Sequence, residues 1–216
     1  MDNKNYINIR IYILGIYKSV IKLIKVINGH IDRILVGILL YVNNIKFSSF
    51  RTTGIPYIQI SYRNGKMTIG KDFAMNNGLK GNPIGYNERC SFVVYENSNI
   101  IIGDNVGISQ CALVSHSSII IGNNVKIGGG TCIYTSDFHS LDYRTRKERE
   151  TDIKNKKCAP VIIKDHVFIG ARCLILKGVT IGEHSIVGAG SVVSKSIPDN
   201  EIWAGNPAKF IRKIEI

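Results

Sequence analysis

From Ile163 to Val193 the chain repeats with a period that belongs to neither a helix nor a simple strand. Ile163, Ile169, Ile175, Ile181, Val187 and Val193 lie six residues apart. Four residues after each of the first five come Val167, Cys173, Val179, Ser185 and Ser191, mostly small or β-branched. Helices repeat near 3.6 residues and strands near 2. A six-residue period predicts a short strand, then a corner, over and over. Three such faces close one 18-residue coil of a triangular prism. Ile163 then stacks under Ile181, Ile169 under Val187, and Ile175 under Val193. Each column removes aliphatic surface from water, at ~25 cal/mol per Å². Gly170, Gly182 and Gly188 follow core positions and are expected to relieve the corners.

The same register runs upstream. Ile102 and Ile108 lead to Val114, and after a one-residue slip come Ile121, Ile127 and Ile133. Ile69 and Met75 add an earlier coil, whereas Leu79 to Asn99 breaks register and should bulge or loop. The repeat therefore predicts a β-helix over residues 51–196. After Ile133 the next core position should be residue 139, yet the register resumes at Ile163, so 24 residues are extruded. The excursion, placed at 136–160, carries TSDFHSLD (Thr135 to Asp142) and then the charged run Arg144 to Lys157. Loops of this length in compact folds are often functional.

Residues 1–50 read as a helical appendage and 197–216 as a short C-terminal tail. The apolar runs Ile11 to Tyr17 and Ile34 to Val42 are separated by Lys18, Lys22 and Lys25. Neither approaches the ~20 apolar residues of a spanning helix. Two short helices are expected, before and after Asn28-Gly29. They would cap the open end of the β-helix, or lie at an anionic membrane surface.

Composition narrows the function. The 216 residues are 44% hydrophobic and 20% charged, enough for one domain and an appendage. The net charge of +12 comes without a recognition-helix pattern or interleaved stacking residues. Nucleic acid is thus disfavoured, and most of the charge reads as solvated surface. The five cysteines have no metal-ligand or redox spacing. With no small-residue cleavage site after the first apolar run, they fit reduced thiols in a cytoplasmic protein.

The hexads, the loop bearing DFH (Asp137 to His139) and the closing IWAGNPAKFIRKI resemble the hexapeptide-repeat acyltransferases. The nearer group contains the maltose, galactoside and polysaccharide O-acetyltransferases. The resemblance spans roughly Ile60 to Lys213. It implies an all-β fold, a left-handed parallel β-helix, although general crossover rules favour the right hand. It also implies a homotrimer, acetyl-CoA as donor, and active sites between neighbouring subunits. The implied reaction is O-acetylation of a saccharide, a polysaccharide or its precursor. Alternatives are N-acetylation of an amino sugar, acetylation of a small xenobiotic, and a non-catalytic or metal-dependent β-helix.

Acyl transfer from a thioester to a hydroxyl needs a base, an oxyanion donor and aligned substrates. His139 is the candidate base, since an imidazole titrates near neutral pH. Asp137 is expected to orient it or, equally, to cap a turn; Asp142 is a weaker candidate. His166 and His184 stack one coil apart, but a zinc site on this fold needs three converging histidines. They read as solvated, and no metal is expected. His116 reads as a wall residue, with a place at the border of the acceptor cleft as the alternative. By resemblance, Ala171, Ala189 and Ser194 are small residues along the pantetheine arm, with Phe168 beside it or in a subunit interface. Lys209, Arg212 and, more loosely, Lys195 would meet CoA phosphates. Asn76, Asn77 and Ser109 could hydrogen-bond the acceptor, although asparagine also favours β-helix corners. The N-terminal segment and the 79–99 insert depart from the small-sugar enzymes and suit a larger glycan or glycolipid.

Overall fold

The computed structural model describes residues 3–85 and 87–215. It is a left-handed parallel β-helix of three faces with six, eight and six strands. Face A holds Lys46–Phe47, Lys66–Ile69, Asn99–Ile102, Ser118–Ile121, Val161–Ile163 and Thr180–Ile181. Face B holds Phe50–Thr53, Phe73–Asn76, Gly107–Ser109, Lys126–Ile127, Phe168–Ile169, Ile186–Val187, Glu201–Ala204 and Lys209–Lys213. Face C holds Tyr57–Ile60, Ser91–Val94, Ala112–Ser115, Cys132–Tyr134, Leu174–Ile175 and Val192–Val193.

The buried columns follow the hexads. Ile163 pairs with Ile181, Ile169 with Val187 and Ile175 with Val193. Across the excursion, Ile121 pairs with Ile163 and Ile133 with Ile175, so the 24 extra residues leave both ladders in register. Two upstream details differ from expectation. Leu113, not Val114, joins the face C column: it comes five residues after Ile108, past a left-handed turn at Gln110 (φ 51°), and Ile121 follows eight residues later, so the single slip is a short interval followed by a long one. The chain is also back on face C by Ser91, with Phe92 and Val94 buried, so the irregular stretch shrinks to about residues 78–90 and opens with a one-turn helix, α2, Gly78–Gly81. Phe92 hid this rung: an aromatic stands in an aliphatic column and meets Phe73 edge to face, 6.4 Å between centroids.

Gly170, Gly182 and Gly188 act otherwise than expected. The left-handed corner positions between faces A and B are Asp72, Asn105, Asn124, His166, His184 and Asn200 (φ 55–60°). The glycines instead permit close stacking of coils. A Cβ on Gly170 would lie 2.5 Å from the Ala189 nitrogen, and one on Gly128 2.4 Å from the Ala171 nitrogen.

Helix α1, Asn3–Val42, is one unbroken helix rather than two. The Asn28-Gly29 stop is overridden because apolar residues keep helical spacing through it, at Ile24, Ile27, Ile31 and Ile34. Its last turns pack on the β-helix: Val36 and Leu40 are buried with Ile45 and Phe50. Asp32 Oδ2 accepts from the Gly54 amide at 2.7 Å, pinning the helix. No helix among the described residues is long and apolar enough to cross a membrane. At the other end, Glu201–Ala204 pairs parallel with Ile186–Val187, and Lys209–Lys213 returns antiparallel to it.

Candidate active site

The excursion leaves face C after Tyr134 and re-enters face A at Val161, at the edge where those faces meet. An antiparallel bridge from Ser136 to Cys158 pinches its root. Two short helices fold its tip: α3, Tyr143–Arg146, and α4, Arg149–Asn155. Asp142 caps α3, its side chain accepting from the Arg144 amide at 2.9 Å, and takes no part with His139.

His139 meets a carboxylate, though not the expected one. Its Nδ1 lies 2.7 Å from Asp152 Oδ2, in α4. The other oxygen, Oδ1, accepts from the Ser140 amide at 2.6 Å. Asp152 is buried, and its hydrogen bonds from His139 and then Ser140 hold its carboxyl below the usual range. An ionised carboxylate only accepts, so in the neutral ring the proton lies on Nδ1 and the lone pair on Nε2. The His139 side chain is 67% exposed in the single chain.

Asp137 does not touch His139 in this way. It pairs with Lys177 on the following coil at 2.7 Å, and its amide donates to the Lys157 carbonyl. Its Oδ2 is buried with no hydrogen-bond partner among the described residues. Asp137 therefore braces the root of the excursion.

Behind His139 stands an aromatic stack that the sequence did not display. Phe138, in the left-handed region (φ 64°), meets Tyr134 and His116 edge-on, at 5.2 and 5.8 Å. His116 stacks flat on Tyr95 at 3.7 Å. Lys156 donates to His116 Nδ1 at 2.9 Å. Burial, then the Lys156 charge, lowers the His116 pKa to about 4, so this ring is neutral near pH 7. His116 thus ties the α4 end of the excursion to the wall.

On face B lies a groove of about 260 Å³, lined by Asn76, Ser109, Lys126 and Phe168 among others. Asn76 Nδ2 donates to Ser109 Oγ at 3.1 Å. Asn77 is not available there. It is buried, its amide donates to the Thr53 carbonyl at 3.0 Å, and its Oδ1 accepts from the Cys90 amide at 2.8 Å. Ala171 and Ala189 follow face B strands at the edge with face C, whereas Ser194 and Lys195 follow a face C strand at the edge with face A. Lys209 and Arg212 are exposed on the last face B strand. In a triangular prism the edge between A and C lies opposite face B. One chain thus keeps His139 apart from the groove and the terminal cations.

His166, His184 and Glu183 do approach one another, with potential ligand atoms within 4.8 Å. The histidine rings stack at 5.1 Å, and His184 Nδ1 lies 3.1 Å from Asn200 Oδ1. The cysteines are free; burial pushes the Cys90 thiol up to about 11 and the Cys111 thiol higher still. Neither is a nucleophile at neutral pH.

Comparison with known proteins adds to this geometry. Residues 160–195 match the model of the bacterial transferase hexapeptide (six repeats). Two curated relatives carry the name "Putative acetyltransferase". YJL218W of Saccharomyces cerevisiae is 41% identical over 118 residues, 54% of this chain and 57% of that protein. SACOL2570 of Staphylococcus aureus is 39% identical over 118 residues, 54% of this chain and 56% of that protein. The chain thus spans little more than half the length of either. A solved structure of AntD, an N-acyltransferase from Bacillus cereus, superposes with a TM-score of 0.65 at 22% identity, covering 82% of this chain and 88% of that one. That likeness is one of fold. By its coils and its matched repeat, the chain is similar to the bacterial hexapeptide-repeat transferases over residues 160–195, and to proteins named putative acetyltransferases over about half its length.

Proposed function

We propose that the chain transfers acetyl from acetyl-CoA to a hydroxyl of a saccharide, a polysaccharide or its precursor, at a site completed between neighbouring copies. The observation that carries this reading is the Asp152–His139 pair, which leaves Nε2 as the accepting nitrogen of an exposed side chain. Nε2 takes the acceptor proton as the hydroxyl oxygen attacks the thioester carbonyl. The tetrahedral intermediate collapses with loss of the C–S bond, and the CoA sulfur leaves with the proton returned from the imidazolium. Asp152 holds the ring's tautomer and offsets its transient charge. The names of the curated relatives support acetyl transfer, and the fold's capacity for CoA is illustrated by AntD, whose structure holds coenzyme A.

The opposition of the A–C edge to face B supports a closed trimer. In it, the excursion of one chain faces the groove of the next, as three-fold closure of a triangular prism permits. Asn76 and Ser109 then contact the acceptor. Phe168, Ala171, Ala189 and Ser194 line the pantetheine arm, and Lys195, Lys209 and Arg212 meet its phosphates. A cytoplasmic location, where acetyl-CoA is supplied, belongs to the same proposal.

The test is thiol release from acetyl-CoA across a panel of glycans, glycolipid precursors and amino sugars. Turnover with a hydroxyl acceptor is expected, falling ~10²-fold or more in His139→Ala with acetyl-CoA binding unchanged. Turnover confined to amino sugars would replace O- by N-acetylation, and wild-type rates in His139→Ala would reject the base.

A further inference from the structure

Helix α1 carries a pattern that neither the β-helix nor the proposed site uses. Tyr17, Ile24, Ile31 and Ile38 are seven apart. So are Ile13, Val20, Ile27, Ile34 and Tyr41, each three residues after, or four before, a member of the first set. These are the a and d positions of a heptad, kept without a break over four repeats. All nine side chains are exposed in the single chain, from 46% at Ile24 to 83% at Tyr41. Every charged residue from Lys18 to Arg33 (Lys18, Lys22, Lys25, Asp32 and Arg33) falls at b, c or f, on the opposite side. The side packed on the β-helix is that same opposite side: Val36 at f and Leu40 at c are buried, and Asp32 at b bonds the Gly54 amide. The attachment therefore turns the apolar seam outward, over about 43 Å of helix.

We propose that α1 zips with α1 of two other copies of this chain into a parallel three-stranded coiled coil. The proposal rests on the three-copy assembly of the proposed function and adds to it a second interface. Isoleucine at both a and d favours three or four strands over two. Leu14, Ile21 and Leu35 at e, with Ile16 and Leu23 at g, widen the seam, as suits a helix with two neighbours. Copies related by a three-fold axis along the prism send their helices from the same end, which makes the strands parallel. A lipid surface suits the charges less well. The lysines sit opposite the seam rather than along its borders, so a bilayer under the seam would hold them away from anionic headgroups.

The test is amide hydrogen exchange on the full chain in lipid-free buffer. It is run where light scattering gives a mass near three times 24.0 kDa. An unpacked helix exchanges freely, whereas a coiled coil protects its amides. Amides of residues 13–31 are expected to exchange at least ~10²-fold more slowly than in Ile24→Asp/Ile31→Asp, with residues 160–195 equally protected in both. Ile27→Asn is the milder variant should the double one misfold. Free exchange of these amides in the wild-type chain overturns the proposal, as does a single-chain mass. Protection that appears only with phosphatidylglycerol vesicles would overturn it in favour of a lipid surface. Thiol release measured on the same samples separates the two readings. Turnover with a freely exchanging helix rejects the coil alone, and a protected helix without turnover rejects the acetyl transfer alone.

Discussion

Asp152 engages two donors with its two oxygens, and both donors belong to the segment His139–Ser140. One carboxylate thereby sets the backbone that presents the imidazole and the tautomer of the ring. Asp152→Asn is expected to lower kcat by about tenfold or more, short of the His139→Ala loss. Asp137→Asn should leave the ring in place and loosen the excursion's root by releasing Lys177. Steady-state rates and thermal midpoints on the two variants distinguish these effects. His116 gives a second expectation. Its folded pKa, about 4, lies below the ordinary value of 6.5. The unfolded chain therefore takes up a proton that the folded chain refuses. That contribution is complete above about pH 6.5 and is lost as pH falls towards 4. The thermal midpoint should drop less between pH 7 and 4.5 in His116→Gln than in the wild type. An equal drop would show that the ring carries no linkage.

At the scale of elements, the coils are held by close stacking as much as by aliphatic columns. Gly170 sits where a Cβ would be 2.5 Å from the backbone nitrogen of Ala189, which cannot swing aside as a side chain would. Gly170→Ala should destabilise by about 1–3 kcal/mol, the usual range for overpacking, read by denaturant unfolding. The excursion is an element of another kind. It enters and leaves between rungs that stay paired, Ile133 on Ile175 and Ile121 on Ile163. Its geometry thus depends on its own ties: the Ser136–Cys158 bridge, the Asp137–Lys177 pair and the Lys156–His116 bond.

For the whole molecule, the proposed site requires His139 of one chain and the face B groove of another. Two defects on separate chains should then complement. Chains with His139→Ala and chains with Ser109→Trp, each inactive alone, are refolded together. A random mixture places a sound histidine against a sound groove at about a quarter of its interfaces. Recovery near that fraction of wild-type turnover is expected. A mixture as inactive as its parents would place the whole site within one chain.

The sequence by itself determined what periodicity and exclusion can determine. The hexads require three stacked faces because apolar residues must share a buried column. Interruption of the register between Ile133 and Ile163 requires an excursion of 24 residues, and the ladders pair across it. A histidine in that loop was legible for the same reason. Tertiary structure decided which carboxylate meets it. Asp137 lies two residues away in the chain yet turns to Lys177, whereas Asp152, inside a run of charges that reads as solvated surface, is brought over by α4. It also decided that Asn77 is consumed by the Thr53 carbonyl and the Cys90 amide, while Asn76 beside it opens on the groove. Alternation from the core position Met75 sends Asn76 outward and Asn77 inward, but the Thr53 carbonyl and the Cys90 amide that occupy Asn77 are distant in sequence and meet it only in the fold. Helix α1 shows the limit from the other side. Its stop signal at Asn28-Gly29 was local, and the apolar period running through it prevailed, because a helix ends where its periodic face ends unless a strong breaker intervenes.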